Sequence, residues 1–130
     1  MRGQAGRRVV VTGLGCVTPL GTDVESTWSS SLRGASGIGA LRRFDAAALP
    51  VRIAAACPAE VGPRSLDAKE ARRLDRSTRL ALAAADEALA DAGLAPGADL
   101  DRDRVGVVVG TSIGGIETLL DGHDVLRERG

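Results

Sequence analysis

Three short apolar runs along the chain have the pattern of β-strands. They occupy residues 8–12, 51–57 and 105–109, and each ends at a glycine or a proline. Runs of β-branched residues that end in this way favour strands, although the alanines of residues 51–57 weaken the second one. The third run is uninterrupted, which is typical of a parallel strand covered on both faces. The glycine-rich residues 35–50 predict an irregular loop.

Between and after these runs, apolar residues recur at helical spacing. The first predicted helix begins in the Thr-x-x-Glu capping pattern of residues 22–25 and ends before Gly34. The second covers residues 67–92 with a break near Asp75, and the last covers residues 116–129. Because strands alternate with helices, the sequence indicates the α/β class.

The second predicted helix is apolar on two sides. Its two stripes contain, respectively, Leu82, Ala85, Leu89 and Ala92, and Leu80, Ala84 and Ala88. A helix that is apolar on two sides is usually buried on both, and alanine lets the covering layers come close. Three strands and three helices offer too few partners for such a helix, so we expect an incomplete α/β domain.

Composition and charge exclude several classes of function. The chain has 17 basic and 17 acidic residues, a formal net charge of zero and only 2% aromatic residues. It therefore lacks the basic, aromatic surface that nucleic-acid binding usually requires. No apolar stretch is long enough to cross a bilayer, and no export signal precedes the first strand. With two cysteines far apart in sequence, the chain is expected in the reducing cytoplasm, bound to neither nucleic acid nor membrane.

Two glycine-rich turns invite a nucleotide-binding interpretation that their residues do not support. Residues 13–18 read Gly-Leu-Gly-Cys-Val-Thr, so Thr18 replaces the third glycine of the dinucleotide fingerprint, and the helix begins too late to hold a pyrophosphate. Residues 110–115 lack the lysine of a phosphate-binding P-loop. We therefore predict no cofactor.

The chain offers no convincing nucleophile or metal site. Cys16 lies in a turn and Cys57 at a strand end, and neither has a helix N-terminus or a basic sequence neighbour to activate it. His123 is the only histidine, and one histidine rarely forms a metal site. No carboxylate pair stands out from the solvated charges. We predict no catalytic residue, no metal site, and cysteines that are small buried apolar residues.

Several segments together resemble the elongating, synthase II-like class of the β-ketoacyl-acyl carrier protein synthases. The matching segments are Arg-Arg-Val-Val-Val-Thr-Gly-Leu-Gly at 7–15, Val-Thr-Pro-Leu-Gly at 17–21, Glu-Ser-Thr-Trp at 25–28, Ala-Ser-Gly-Ile at 35–38, Phe-Asp at 44–45, Leu-Asp-Arg at 74–76, Ala-Leu-Ala-Asp-Ala-Gly-Leu at 88–94 and Asp-Arg-Val-Gly-Val-Val-Val-Gly-Thr-Ser-Ile-Gly-Gly at 103–115. Each segment is modestly specific, whereas their order and spacing over nearly the whole chain are distinctive.

This resemblance implies a thiolase fold, in which two α/β halves stack in five layers, αβαβα, with helices between two sheets. Such a fold would explain a helix that is apolar on two sides. Residues 1–130 would be the N-terminal part of the synthase domain, truncated before the nucleophile, because the family's Thr-Ala-Cys-Ser/Ala segment does not occur among them.

The resemblance also implies a decarboxylative Claisen condensation in fatty acid or polyketide biosynthesis. In the family, a cysteine takes an acyl group from acyl carrier protein or coenzyme A, and two histidines assist the decarboxylation of malonyl-acyl carrier protein. The expected partners are acyl carrier protein, acyl and malonyl thioesters, and a second subunit in a homodimer, or in a heterodimer of polyketide type. The isoleucine of the family's Gly-x-x-Ile-Gly-Gly loop lines the acyl pocket, so Ile113 is the expected substrate-binding residue.

Two functions stay open at this point. One is a condensing synthase, of which this chain alone would be inactive. The other is a non-catalytic chain-length-factor subunit of a polyketide synthase, which has the same fold without the cysteine. The residue that distinguishes them is not among these 130.

Overall fold

A computed structural model describes residues 8–94 and 98–130, and over these residues the chain forms four α-helices and one two-stranded sheet. In chain order the elements are α1 (Val24–Leu32), β1 (Ile38–Ala40), β2 (Ile53–Ala55), α2 (Ala68–Ala71), α3 (Arg76–Asp91), a 3-10 turn (Arg102–Arg104) and α4 (Ile116–Arg129). All three predicted helical regions are confirmed, including the break near Asp75, which separates α2 from α3.

The sheet is an antiparallel hairpin between β1 and β2. Ile38 pairs with Ala55 and Ala40 pairs with Ile53, and the Leu41 N–H extends the pairing by donating to the Arg52 carbonyl over 2.9 Å. The predicted strand at residues 51–57 is thus confirmed at its centre. Its partner lies in residues 35–50, where we predicted an irregular loop, and that part of the prediction is wrong.

Two predicted strands, residues 8–12 and 105–109, are also wrong for the described part of the chain. Both segments carry no strand pairing there, so the expected parallel sheet does not form among these residues. The physical reason is that a strand needs a neighbour for its N–H and C=O groups. Val9 is 93% exposed and Val108 is 98% exposed, so the apolar side chains of these runs also lack a covering layer.

Local capping explains where the helices begin and end. We predicted a capping box from Thr22 to Glu25, but Asp23 is the N-cap of α1, and its Oδ1 accepts the Ser26 N–H at 2.7 Å. Aspartate caps at least as well as threonine, which accounts for the shift by one residue. At the other end Gly34 takes a φ of +66°, as the predicted glycine cap requires.

The described residues contain almost no hydrophobic core. Ala46 is the buried hydrophobic side chain among them, at 8% exposure, whereas large apolar side chains on α4 and in residues 105–109 face outward. Only β1 and β2 make extensive contact as elements within residues 8–94 and 98–130. None of the helices in this part of the chain has both the length and the hydropathy needed to cross a membrane.

Candidate functional site

Gly13 and Gly15 allow the chain to lie directly on the backbone of α3. A Cβ at Gly13 would overlap the carbonyl oxygen of Ala88, and a Cβ at Gly15 would overlap that of Ala84. Both alanines belong to one of the two apolar stripes of α3, so residues 13–15 lie over part of that stripe. The Gly-Leu-Gly turn therefore serves close packing of the main chain on a helix.

Two carboxylates of α3 hold this segment by its main-chain N–H groups. The Leu14 N–H donates to Asp91 Oδ2 at 2.8 Å, and the Cys16 N–H donates to Glu87 Oε2 at 2.9 Å. The acceptors are four residues apart and thus one turn apart on the same helix face. Glu87 Oε1 also accepts the Val24 N–H at 2.8 Å, and this donor belongs to the first residue of α1. Glu87 thereby joins α3 to residue 16 and to the start of α1.

We expect Glu87→Gln to destabilise the full-length protein by about 1.5–3 kcal/mol, the usual contribution of a hydrogen bond to a charged group. Both carboxylate oxygens of Glu87 accept an N–H, whereas glutamine has one accepting oxygen and would leave one donor unpaired. Urea unfolding measures the change. The matched control is Asp91→Asn. One oxygen of Asp91 accepts the Leu14 N–H, and the side-chain oxygen of asparagine can accept it in the same way. Equal losses in the two variants would contradict the double-acceptor role of Glu87.

The segment that follows β2 is also held by α3. Arg76 donates from Nη2 to the carbonyl oxygens of Cys57 at 2.7 Å and Pro58 at 2.9 Å. Asp86 directly precedes Glu87 in α3, and its Oδ2 accepts the N–H groups of Arg64 at 2.7 Å and Ser65 at 3.0 Å. These bonds fix both ends of residues 57–65 against one helix.

A cavity of about 710 Å³ lies between this segment, α3 and the start of α1. Its lining residues are Thr22, Asp23, Pro58, Glu60, Val61, Gly62, Arg64, Ser65, Ala83, Asp86, Glu87 and Ala90. On one side of this cavity, the carboxylates of Asp86 and Glu87 accept hydrogen bonds from main-chain N–H groups. Their role there is therefore to hold the chain in place.

Asp75 connects the first turns of α3 and α4. As the N-cap of α3, its Oδ1 accepts the N–H and the hydroxyl of Ser77, both at 2.9 Å. Its Oδ2 accepts the Thr118 hydroxyl at 3.3 Å and the Thr118 N–H at 3.4 Å. The bonds from the Ser77 N–H and hydroxyl, followed by those from Thr118, lower the pKa of the Asp75 carboxyl. The group is therefore an anion at neutral pH.

Ile113, the predicted substrate-binding residue, lies in the loop of residues 110–115 that leads into α4. Its side chain is 70% exposed. The loop turns through Gly114, whose φ is +74°, and the Gly114 N–H donates to the Thr111 hydroxyl at 3.0 Å. Ile113 does not line the cavity described above, so its role stays a prediction.

The two cysteines and the histidine contact different parts of the described chain. Cys16 and Cys57 are half-buried free thiols, and the Cys57 Sγ donates to the Val17 carbonyl at 3.7 Å. His123 lies on α4, where Nδ1 is 3.4 Å from Asp124 Oδ1 and both side chains are more than half exposed. Across residues 8–94 and 98–130, no three histidine, cysteine or carboxylate side chains lie close enough to hold a metal ion.

Sequence reasoning missed the positions that organise this arrangement. We treated the acidic residues of α3 as solvated charges, but Asp86, Glu87 and Asp91 accept main-chain N–H groups from three separate segments. For Asp75 and Arg76 a signal was available in the sequence, because both belong to the Leu-Asp-Arg segment at 74–76. We used that segment only as a mark of family resemblance.

Comparison with known proteins supplies the identity that geometry alone does not. Residues 6–130 match the family described as beta-ketoacyl synthase, N-terminal domain. The chain is 41% identical over 124 residues to the 3-oxoacyl-[acyl-carrier-protein] synthase 2 of Staphylococcus aureus strain N315, which covers 95% of this chain and 30% of the relative. It is 39% identical over 124 residues to the synthase 2 of Synechocystis sp., with the same shares covered.

The chain therefore belongs to the β-ketoacyl synthase family, whose N-terminal domain has a thiolase-type α/β fold. Within that family it corresponds to the N-terminal part of proteins of the synthase 2 type, which confirms the resemblance seen in the sequence. The chain spans about 30% of the length of the curated relatives that it matches.

Proposed function

We propose that the full-length protein carrying this chain is a 3-oxoacyl-[acyl-carrier-protein] synthase of fatty acid or polyketide biosynthesis. The observation that carries the proposal is an identity of about 40% to synthases of that name, sustained over 95% of the chain. The substrates would be an acyl thioester and malonyl-acyl carrier protein.

The reaction that follows from this proposal is a decarboxylative condensation. An enzyme cysteine first takes the acyl group, with loss of the carrier thiol. The bond between the malonyl carboxylate and its α-carbon then breaks, releases CO2 and leaves its electron pair on that carbon. The carbanion attacks the acyl-enzyme carbonyl, the C–S bond breaks, and the thiolate departs from the 3-oxoacyl product. By analogy with the family, the residues for these steps lie outside these 130.

This chain would contribute scaffold and one wall of the acyl pocket. We propose that residues 1–130 are the N-terminal part of the five-layer synthase domain, with further layers covering residues 105–109, α4 and the second apolar stripe of α3. In support, Val107 is 84% exposed, Leu119 on α4 is 67% exposed and Leu89 on α3 is 45% exposed. Buried area of this apolar kind is worth about 25 cal/mol per Å², so these faces favour a covering layer. A homodimer and a cytoplasmic location stay predictions.

The test is condensation by the full-length protein with malonyl-acyl carrier protein and acyl primers of different length. We expect 3-oxoacyl product and CO2 from the full-length protein, and none from the isolated 130-residue chain. Ile113→Phe should lower kcat/KM for long primers about tenfold and spare short ones, because the ring shortens the pocket. Ile113→Val is the matched control that keeps the pocket open.

Labelling of the acyl-enzyme identifies the nucleophile in the same preparation. We expect neither Cys16 nor Cys57 to be labelled, and a Cys16→Ser, Cys57→Ser double variant to retain activity. A full-length protein that takes up no acyl group and releases no CO2 would contradict the synthase proposal and favour the chain-length-factor alternative.

A further inference from the structure

One carboxylate caps two helices that are distant in the sequence. Asp75 is the N-cap of α3, and it also accepts the N–H of Thr118, the third residue of α4. That N–H is one of the donors at a helix start that an N-cap side chain normally satisfies. The N-cap of α4 is Gly115, which has no side chain and makes no such bond. Asp75 thus supplies the missing cap of α4 from outside the helix.

The same contact fixes the end of the loop that contains Ile113. A Cβ placed on Gly115 would lie 3.4 Å from Asp75 Oδ2, so the last residue of the loop lies against this carboxylate. On the other side of the loop, residues 105–109 are exposed and carry no strand pairing among the described residues. Arg43 and Glu117 form a second contact with the start of α4, an ion pair with an N–O distance of 2.6 Å. Because both side chains are half-exposed, this pair contributes little to stability.

We propose that Asp75 is a positioning residue that sets the place of the Ile113 loop and, through it, the selectivity of the enzyme for acyl-chain length. This inference rests on the proposed function, in which Ile113 lines the acyl pocket. Asp75 does not touch substrate in this assignment. It acts by holding Gly115 and Thr118, two and five residues after Ile113.

The two oxygens of Asp75 allow its two roles to be separated by substitution. Ser77→Ala removes a hydroxyl bond on the α3 side only, and Thr118→Val removes the hydroxyl bond on the α4 side only. Asp75→Asn keeps one accepting oxygen and so cannot cap both helices. Thr118→Ser retains the hydroxyl and serves as the conservative control.

The experiment measures two quantities on each full-length variant. The first is the ratio of kcat/KM for long and short acyl primers. The second is hydrogen exchange of the main-chain amides of residues 114–118, which reports the loop without depending on turnover. We expect Thr118→Val and Asp75→Asn to change the ratio about fivefold and to speed exchange. Ser77→Ala and Thr118→Ser should leave both close to wild type.

The outcomes separate this inference from the proposed function. If Ile113→Phe changes the selectivity ratio while Thr118→Val and Asp75→Asn do not, Asp75 is not a positioning residue and the inference is overturned. It is also overturned if Ser77→Ala acts as strongly as Thr118→Val, since the effect would then be general helix stability. If exchange rises in Asp75→Asn but Ile113→Phe leaves the ratio unchanged, the assignment of Ile113 to the acyl pocket fails, and the selectivity role fails with it.

Discussion

The isolated 130-residue chain should unfold without a sharp transition and should elute from a sizing column as aggregate. Net domain stability is only about 5–15 kcal/mol and depends on buried apolar area. In the described residues, Ala46 is the buried hydrophobic side chain, whereas Val108 is 98% exposed and α4 presents Leu119 and Leu126 outward. Such a chain exposes the apolar surface that drives association. Thermal unfolding by circular dichroism, with size exclusion, measures both properties.

A solubilised version of the same chain separates aggregation from lack of packing. Val107→Thr together with Val108→Lys should lower aggregation by placing polar groups on an exposed segment, and should leave the transition broad. A sharp transition in a monomeric peak of either chain would show that its apolar faces are satisfied within the 130 residues. Our assignment of covering layers to other parts of the protein would then be wrong.

Gly15→Ala should destabilise the full-length protein by about 3 kcal/mol, at the upper end of the range for an overpacked site. The added Cβ would overlap the main-chain carbonyl of Ala84 and also come within 2.7 Å of the Ala88 nitrogen. A helix backbone cannot rotate out of the way as a side chain can. The shift would also weaken the bond from the Cys16 N–H to Glu87, which depends on this close approach.

The matched control for Gly15→Ala is Gly62→Ala, because a Cβ at Gly62 meets nothing within 4 Å. Denaturant unfolding of both variants, beside wild type, gives the two free energies. We expect less than about 1 kcal/mol for the control. If both variants lose the same small amount, residues 13–16 do not lie against α3 in the full-length protein.

Local signals in the sequence were sufficient for the helices and insufficient for the sheet. Gly34 and the break before α3 follow from capping residues that act on their own turn, so the bounds of α1 and α3 could be predicted. The helix α4 could be predicted from its apolar residues at helical spacing. A strand is stabilised by a partner that the sequence does not identify. This is why residues 8–12 and 105–109 were predicted as strands and have no neighbour here, while residues 38–40 were missed.

The residues of the candidate site also divide into those that local sequence indicates and those that depend on distant partners. Ile113 was named through family resemblance, and its loop glycines were visible in the sequence. The acceptor roles of Glu87 and Asp91 depend on donors 71 and 77 residues away, and no pattern along the chain indicates such a pair. Asp75 combines both cases, since its cap of α3 is local and its cap of α4 spans 43 residues.

The distance between residues 13–16 and their helix has a consequence during synthesis of the protein. Leu14 leaves the ribosome 77 residues before Asp91, the side chain that accepts its N–H. At about 5–20 residues per second, the N-terminal segment waits roughly 4–15 s for α3 to be made. Throughout that time the main-chain N–H groups of Leu14 and Cys16 lack the carboxylates that accept them in the folded chain. Residues 13–16 should therefore be accessible to nascent-chain chaperones during this interval.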